Sequence, residues 1–172
     1  GYRVMITVDN GISALAPLQL AERLGLDVII TDHHDLPPVL PPALAILNPK
    51  LLPPSSPYHG LAGVGMAYVL ALTLAEQSGQ AQLLADPLLE LFTLGTVADM
   101  APLVGVNRLW TQRGLGLLPR SQNPGVQCLM AVAGFTDLTD LKPEAIGFGL
   151  GPRINAVGRI GDPALVIRLL TC

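Results

Sequence analysis

A chain of 172 residues is long enough for one sizeable domain with its own core. Half of it is hydrophobic and only 13% is charged, yet its apolar stretch at residues 61–75 falls short of the roughly 17–25 residues that a membrane-spanning helix needs. The net charge of −3 excludes a uniformly basic nucleic-acid surface but hides an asymmetry: three basic against nine acidic side chains in residues 1–99, and seven against four in residues 100–172.

Val4 to Val8 reads as an apolar β-strand running into Asp9-Asn10-Gly11. Ser13 to Gly25 reads as a helix, with Leu15, Leu18 and Leu24 near one face and Gly25 as its stop. A second strand, Val28 to Thr31, runs into Asp32-His33-His34-Asp35. Strand, helix and strand at this spacing make a βαβ unit with parallel strands and a right-handed crossover. Ligands of such sheets sit beyond the carboxyl ends of the strands. Asp9 and the Asp32-His33-His34 cluster therefore face one crevice, and carboxylate with imidazole suits a hard or borderline divalent cation. The competing reading is a solvated polar loop whose aspartates cap the next element.

A proline-rich stretch, residues 36–42, cannot be helical, and Ala43 to Leu47 follows as a third short strand closed by Asn48-Pro49. Leu61 to about Gly79 reads as a long apolar helix. Its early glycines, Gly63 and Gly65, match neither phosphate-loop spacing and point to close packing. Asp86-Pro87 looks like a helix start for Leu88 to Ala98. Asp99 then stands at the C-terminal end, opposing the macrodipole by about 0.3–1 kcal/mol; a neighbouring cation would explain it. Asn107 to Leu118 and Gly125 to Ala133 read as further helices. Leu141-Lys142-Pro143-Glu144 opens another, which Phe148-Gly149-Leu150-Gly151 should interrupt. Gly151 to Arg159 reads as a glycine-bracketed loop presenting Arg153, Asn155 and Arg159, either as a phosphate grip or as ordinary surface groups. Residues 163–172 read as a last helix. Cys128 and Cys172 form no metal or disulfide pattern and are expected as small core residues in a reducing compartment, hence cytoplasmic.

Val8-Asp9-Asn10-Gly11, Asp32-His33-His34 and Gly95-Thr96-Val97-Ala98-Asp99 occur in the order found in the DHH phosphoesterase superfamily. With Leu61-Ala62-Gly63-Val64-Gly65 and Gly151 to Arg159, the chain resembles the bacterial RecJ branch, the single-strand-specific DNA exonucleases. The resemblance implies an α/β fold, with the parallel-sheet DHH domain over 1–104 and a mostly helical remainder of the catalytic core over 105–172. It implies a two-metal hydrolase using manganese or magnesium that degrades single-stranded DNA from its 5′ end in repair and recombination. On matching positions, Asp9, His33 and Asp99 would hold metal, and His34 would face the scissile phosphate. Asp32 would orient the histidines, while Arg153, Asn155 and Arg159 would bind substrate phosphate. The family's first Asp-x-Asp motif and its C-terminal modules have no counterpart here, so weak metal binding and little cleavage are expected of this piece alone. No membrane association is expected. The alternatives are another DHH enzyme acting on short oligonucleotides or cyclic dinucleotides, a non-catalytic DHH scaffold, and a purely structural α/β domain.

Overall fold

The computed structural model describes residues 1–135 and 141–171. Three parallel strands, β1 (Val4–Val8), β2 (Asp27–Thr31) and β3 (Ala45–Leu47), lie in the order β1-β2-β3. Helix α1 (Leu15–Arg23) connects the first two. Val8, Thr31 and Leu47 are aligned across the sheet. The next residue on each strand, Asp9, Asp32 and Asn48, therefore ends at a common edge. Val28 and Ile30 are buried against Leu18 and Ala21 of α1. The two strands differ in burial although both are apolar: β2 is central, whereas β1 is an edge with Val4, Ile6 and Val8 exposed.

Helices follow for the rest of the chain: α2 (Gly63–Gln77), α3 (Ala81–Ala98), α4 (Gly105–Leu117), α5 (Pro124–Val132), α6 (Gly151–Ile160) and α7 (Ala164–Leu170). Among the described residues, no helix is long and apolar enough to cross a membrane. Tyr68, Phe92 and Trp110 bring α2, α3 and α4 together, with ring centroids 5.1–5.4 Å apart. A second core gathers Leu94, Leu118, Val126, Met130, Ile146 and Leu150.

Four expectations are corrected. Helix α3 begins at Ala81, not at Asp86-Pro87, and carries Pro87 in its interior. The residues before it, Ala81-Gln82-Leu83-Leu84-Ala85, are strong helix formers. Pro87 and Leu83 are also exposed, so the carbonyl that loses its partner faces water. The stretch Gly151 to Arg159 is helix α6, not a loop. Phe148-Gly149-Leu150-Gly151 does not break the chain there, because Ala145–Leu150 is a π-helix that leads straight into α6 with Pro152 in its first turn. Its glycines serve contact: Gly149 lies on the ring of Phe135 and Gly151 on Ala98. Cys128 is exposed on α5 and not a core residue; the turn it occupies points Val126, Leu129 and Met130 inward instead. Cys172 lies outside the described residues.

Glu90 is a buried carboxyl on α3 that accepts a hydrogen bond from the Ser121 hydroxyl. Burial pushes Glu90 above its ordinary value of 4.5, the Ser121 bond pulls it part of the way back, and Asp86 adds to the rise. A raised acid favours the fold fully below 4.5, and that contribution is lost as pH rises through the folded value. At neutral pH the ionised group is therefore a cost. Glu90→Gln keeps an oxygen for Ser121 and removes the charge, so it is expected to stabilise the fold at neutral pH by about 0.5–2 kcal/mol. The gain should shrink towards about pH 4.5; urea unfolding at the two pH values checks this.

Candidate metal centre

The carboxyl edge of the sheet is built from two strand tips. Asp9 donates its amide to Thr31 O at 2.9 Å and adopts φ +59. Gly11, at φ +113, follows at a point where a Cβ would lie 2.7 Å from Thr7 Oγ1, so the turn requires glycine there. On the second tip Asp32 is 1% exposed and is hydrogen-bonded on both oxygens. Oδ2 accepts from the Ile12 amide at 2.9 Å; Oδ1 accepts from the His33 and His34 amides at 2.7 and 3.2 Å and pairs with His34 Nδ1 at 2.7 Å. Burial, the largest single influence, pushes Asp32 up, but these bonds together outweigh it and hold the carboxyl below its ordinary 3.8. Asp32 is thus ionised and the His34 Nδ1–H donates to it. The Asp32 bond in turn raises His34 above 6.5.

With Nδ1 committed, the neutral His34 ring keeps its free lone pair on Nε2. His34 is also held from behind: Asn48 Nδ2 donates to His34 O at 3.0 Å while Asn48 Oδ1 accepts from Lys50 N at 2.9 Å. Asn48, the tip of β3, is a site residue that the sequence reading missed. Its position one residue beyond Leu47, in register with the two aspartates, is the signal that would have found it.

His33 Nε2 lies 3.0 Å from Asp9 Oδ1 and 3.9 Å from Asp99 Oδ2. Asp99 arrives from elsewhere in the chain, as the C-cap of α3. The Met100 amide bonds Val97 O and the Ala101 amide bonds Thr96 O, a Schellman closure with Met100 at φ +55. Asp9 and Met100 are the two non-glycine residues with positive φ among the described residues. One belongs to the cluster and the other follows Asp99, so the sparsely populated backbone conformations concentrate here.

Asp9, His33 and His34 each offer one ligand atom, and these atoms all lie within 4.8 Å of one another. Donors around one small divalent cation at about 2.1 Å lie at most about 4.2 Å apart, so a modest inward movement would bring all three atoms onto one cation. The donor set, carboxylate and imidazole partly open to solvent, fits manganese or magnesium. Of the expected residues, the structure brings Asp9, Asp32, His33, His34 and Asp99 together. Arg153, Asn155 and Arg159 are exposed on α6, whose first residue backs onto Ala98 beside Asp99. They do not form one patch. Asn155 and Arg159, four residues apart, share a face; Arg153 points elsewhere and donates to Gly149 O at 2.6 Å.

The model for the DHH family's N-terminal domain matches residues 3–96. The single-stranded-DNA-specific exonuclease RecJ of Bacillus subtilis is 44% identical over 167 residues, covering 96% of this chain and 20% of that protein. Its Escherichia coli counterpart is 41% identical over 183 residues, covering 100% of this chain and 31% of that protein. The crystal structure of RecJ in complex with Mn2+ from Thermus thermophilus aligns with a TM-score of 0.85 at 34% identity, over 98% of this chain and 25% of that one. The chain thus spans between a fifth and a third of the length of these curated relatives. The match over more than half its residues, with its sheet edge built as described, makes this chain a member of the DHH family.

Proposed function

We propose that this chain is the cation-holding core of a metal-dependent phosphodiesterase, and that the protein it represents is a 5′-to-3′ exonuclease of single-stranded DNA acting in repair and recombination in the cytoplasm. The observation that carries the reading is the placement of His33 Nε2 between the carboxylates of Asp9 and Asp99. The relatives named as single-stranded-DNA-specific exonucleases and the manganese-bound structure support it.

In this reading Asp9, on the tip of β1, would hold metal together with His33 and Asp99, and His34 would stand beside them towards the scissile phosphate. Bound divalent cations there would supply charge for the attacking and leaving oxygens of an in-line displacement and make water a better nucleophile near neutral pH. Asp32 holds the proton of neutral His34 on Nδ1, so that Nε2 would offer its lone pair to a cation, whereas the ring protonated on both nitrogens would donate Nε2–H to a phosphate oxygen. Asn48 stops the His34 backbone from drifting away from Asp9. Asn155 and Arg159, on one face of α6, would grip a phosphate of the substrate strand, and Arg153, on the same helix, would join them. The scarcity of aromatics, seven in all, puts recognition on the phosphates more than on stacked bases.

The test uses the protein as encoded in full, with Mn2+, on 5′-phosphorylated single-stranded DNA, the matching duplex and a dinucleotide. Release of nucleotides from the single strand alone, abolished by chelator and by Asp9→Ala, is expected. Hydrolysis confined to the dinucleotide would replace this reading with the short-oligonucleotide branch of the family, and no hydrolysis of any of the three would point to a scaffold.

A further inference from the structure

We infer that Asn107, a residue with no direct contact to the cluster, is a positioning residue that sets the gap between the Asp9 and Asp99 sides of the site. The inference rests on the metal-site reading above. Asn107 stands in the first turn of α4 and is 1% exposed. Its Nδ2 donates to two carbonyls that belong to different parts of the chain, Gly60 O at 2.7 Å and Pro102 O at 3.0 Å.

Each carbonyl leads to one wall of the site. Pro102 lies three residues beyond Asp99, at the end of the tight closure through Met100 and Ala101. Gly60 lies three residues before Gly63, whose Cα faces the Asp9 side chain so closely that a Cβ there would collide with Asp9 Oδ1. One buried amide therefore fastens together the segment that delivers Asp99 and the segment that backs Asp9.

The surrounding contacts make this fastening stiff. Val106 N donates to Pro57 O at 3.3 Å, and the Tyr58 ring packs tilted against Trp110, centroids 5.9 Å apart, one turn along α4 from Asn107. Residues 57–60 are thereby held to α4 at several points; Arg108 N donates to Val104 O at 3.4 Å, and Asn107 bonds both Gly60 O and Pro102 O through one side chain. The other end of the amide, Asn107 Oδ1, is buried with no partner among the described residues.

The experiment measures Mn2+ binding by calorimetry and thermal melting with chelator, on the protein as encoded in full. Four proteins are compared: wild type, Asn107→Ala, Thr111→Val and Leu129→Ala. Thr111→Val changes the next turn of α4 by removing a buried hydroxyl that has no hydrogen-bond partner among the described residues, and Leu129→Ala destabilises the second core. Asn107→Ala is expected to weaken Mn2+ by about ten- to a hundredfold, while Thr111→Val and Leu129→Ala keep wild-type affinity even where Leu129→Ala melts lower. If Asn107→Ala does not fold, Asn107→Ser, which keeps a donor too short to span both carbonyls, is judged by the same criterion. Affinity within twofold of wild type in the folded Asn107 variant, or an equal loss in Leu129→Ala, overturns the inference. Wild-type protein that binds no Mn2+ overturns the metal-site reading itself.

Discussion

Replacing Gly63 by alanine is expected to leave the chain folded and to remove most of its affinity for divalent cations. Gly63 is the first residue of α2 and is buried against the tip of β1. A Cβ built there collides with Asp9 Oδ1 and falls 3.0 Å from its Cγ and 3.2 Å from its Cβ. Two outcomes relieve such contacts: either the helix moves or the aspartate does. The aspartate is the softer of the two, because its side chain is 57% exposed and can turn out to solvent, whereas α2 is packed through Tyr68 against α3 and α4. Alanine is also the better helix former, by about 0.5–1 kcal/mol over glycine. The melting temperature without metal should therefore stay level or rise. Metal binding should fall by about a hundredfold or more, as for Asp9→Ala, since the Asp9 carboxylate has been swung away from His33. Calorimetry with Mn2+ on the full-length protein, beside melting curves in chelator, separates the two effects. Wild-type affinity in the alanine variant would show that the close approach of α2 does not hold Asp9 in place.

The parts of this site that were legible in the sequence are those written in short range. Val4–Val8 and Val28–Thr31 are β-prone runs that end in carboxylate, and parallel pairing then obliges Asp9 and Asp32 to share an edge. Asp99 could be placed at a helix end because Gly95 to Asp99 reads as helix followed by turn, and the closure through Met100 matches. Local signals misled where tertiary packing overrode them. Pro87 carries the strongest start signal in its region, yet exposure of the freed carbonyl lets α3 run through it. Gly149 and Gly151 look like breakers, yet each is used for a close contact, with Phe135 and Ala98, inside a continuous helical path. The bond from Asn107 to Gly60 left no mark in the sequence, because its partner is a backbone carbonyl 47 residues away. A carbonyl is the same in every residue, so nothing in composition or spacing announces it as a partner. The positive φ of Asp9 and Met100 is likewise a property of the fold and not of the residue types.

Asp32→Ala is expected to cost about 3–5 kcal/mol, a large part of the roughly 5–15 kcal/mol that holds a domain of this kind together. The loss comes from stranding three backbone amides, those of Ile12, His33 and His34, at a position 1% exposed. Asp32→Asn separates charge from shape. Its oxygen can still accept on the histidine side, but its amide nitrogen then faces the Ile12 N–H, donor against donor, at about 1–3 kcal/mol. The pH dependence of that smaller loss identifies the ion pair. Asp32 is held below 3.8, so its contribution is present above that value and disappears as pH falls through the folded value. His34 is raised above 6.5, so its contribution is complete below that value and disappears as pH rises through the folded one. The pair therefore stabilises the metal-free fold most between 3.8 and 6.5. In chelator, the stability gap between wild type and Asp32→Asn should be wider at about pH 5 than at about pH 8, because rising pH takes the proton from His34 and leaves a neutral ring donating to the Asp32 carboxylate. Urea unfolding at those two pH values measures the gap directly. An equal gap at both would mean that His34 gains nothing from the charge of Asp32, and that the tautomer presented to the cation is fixed by some other contact.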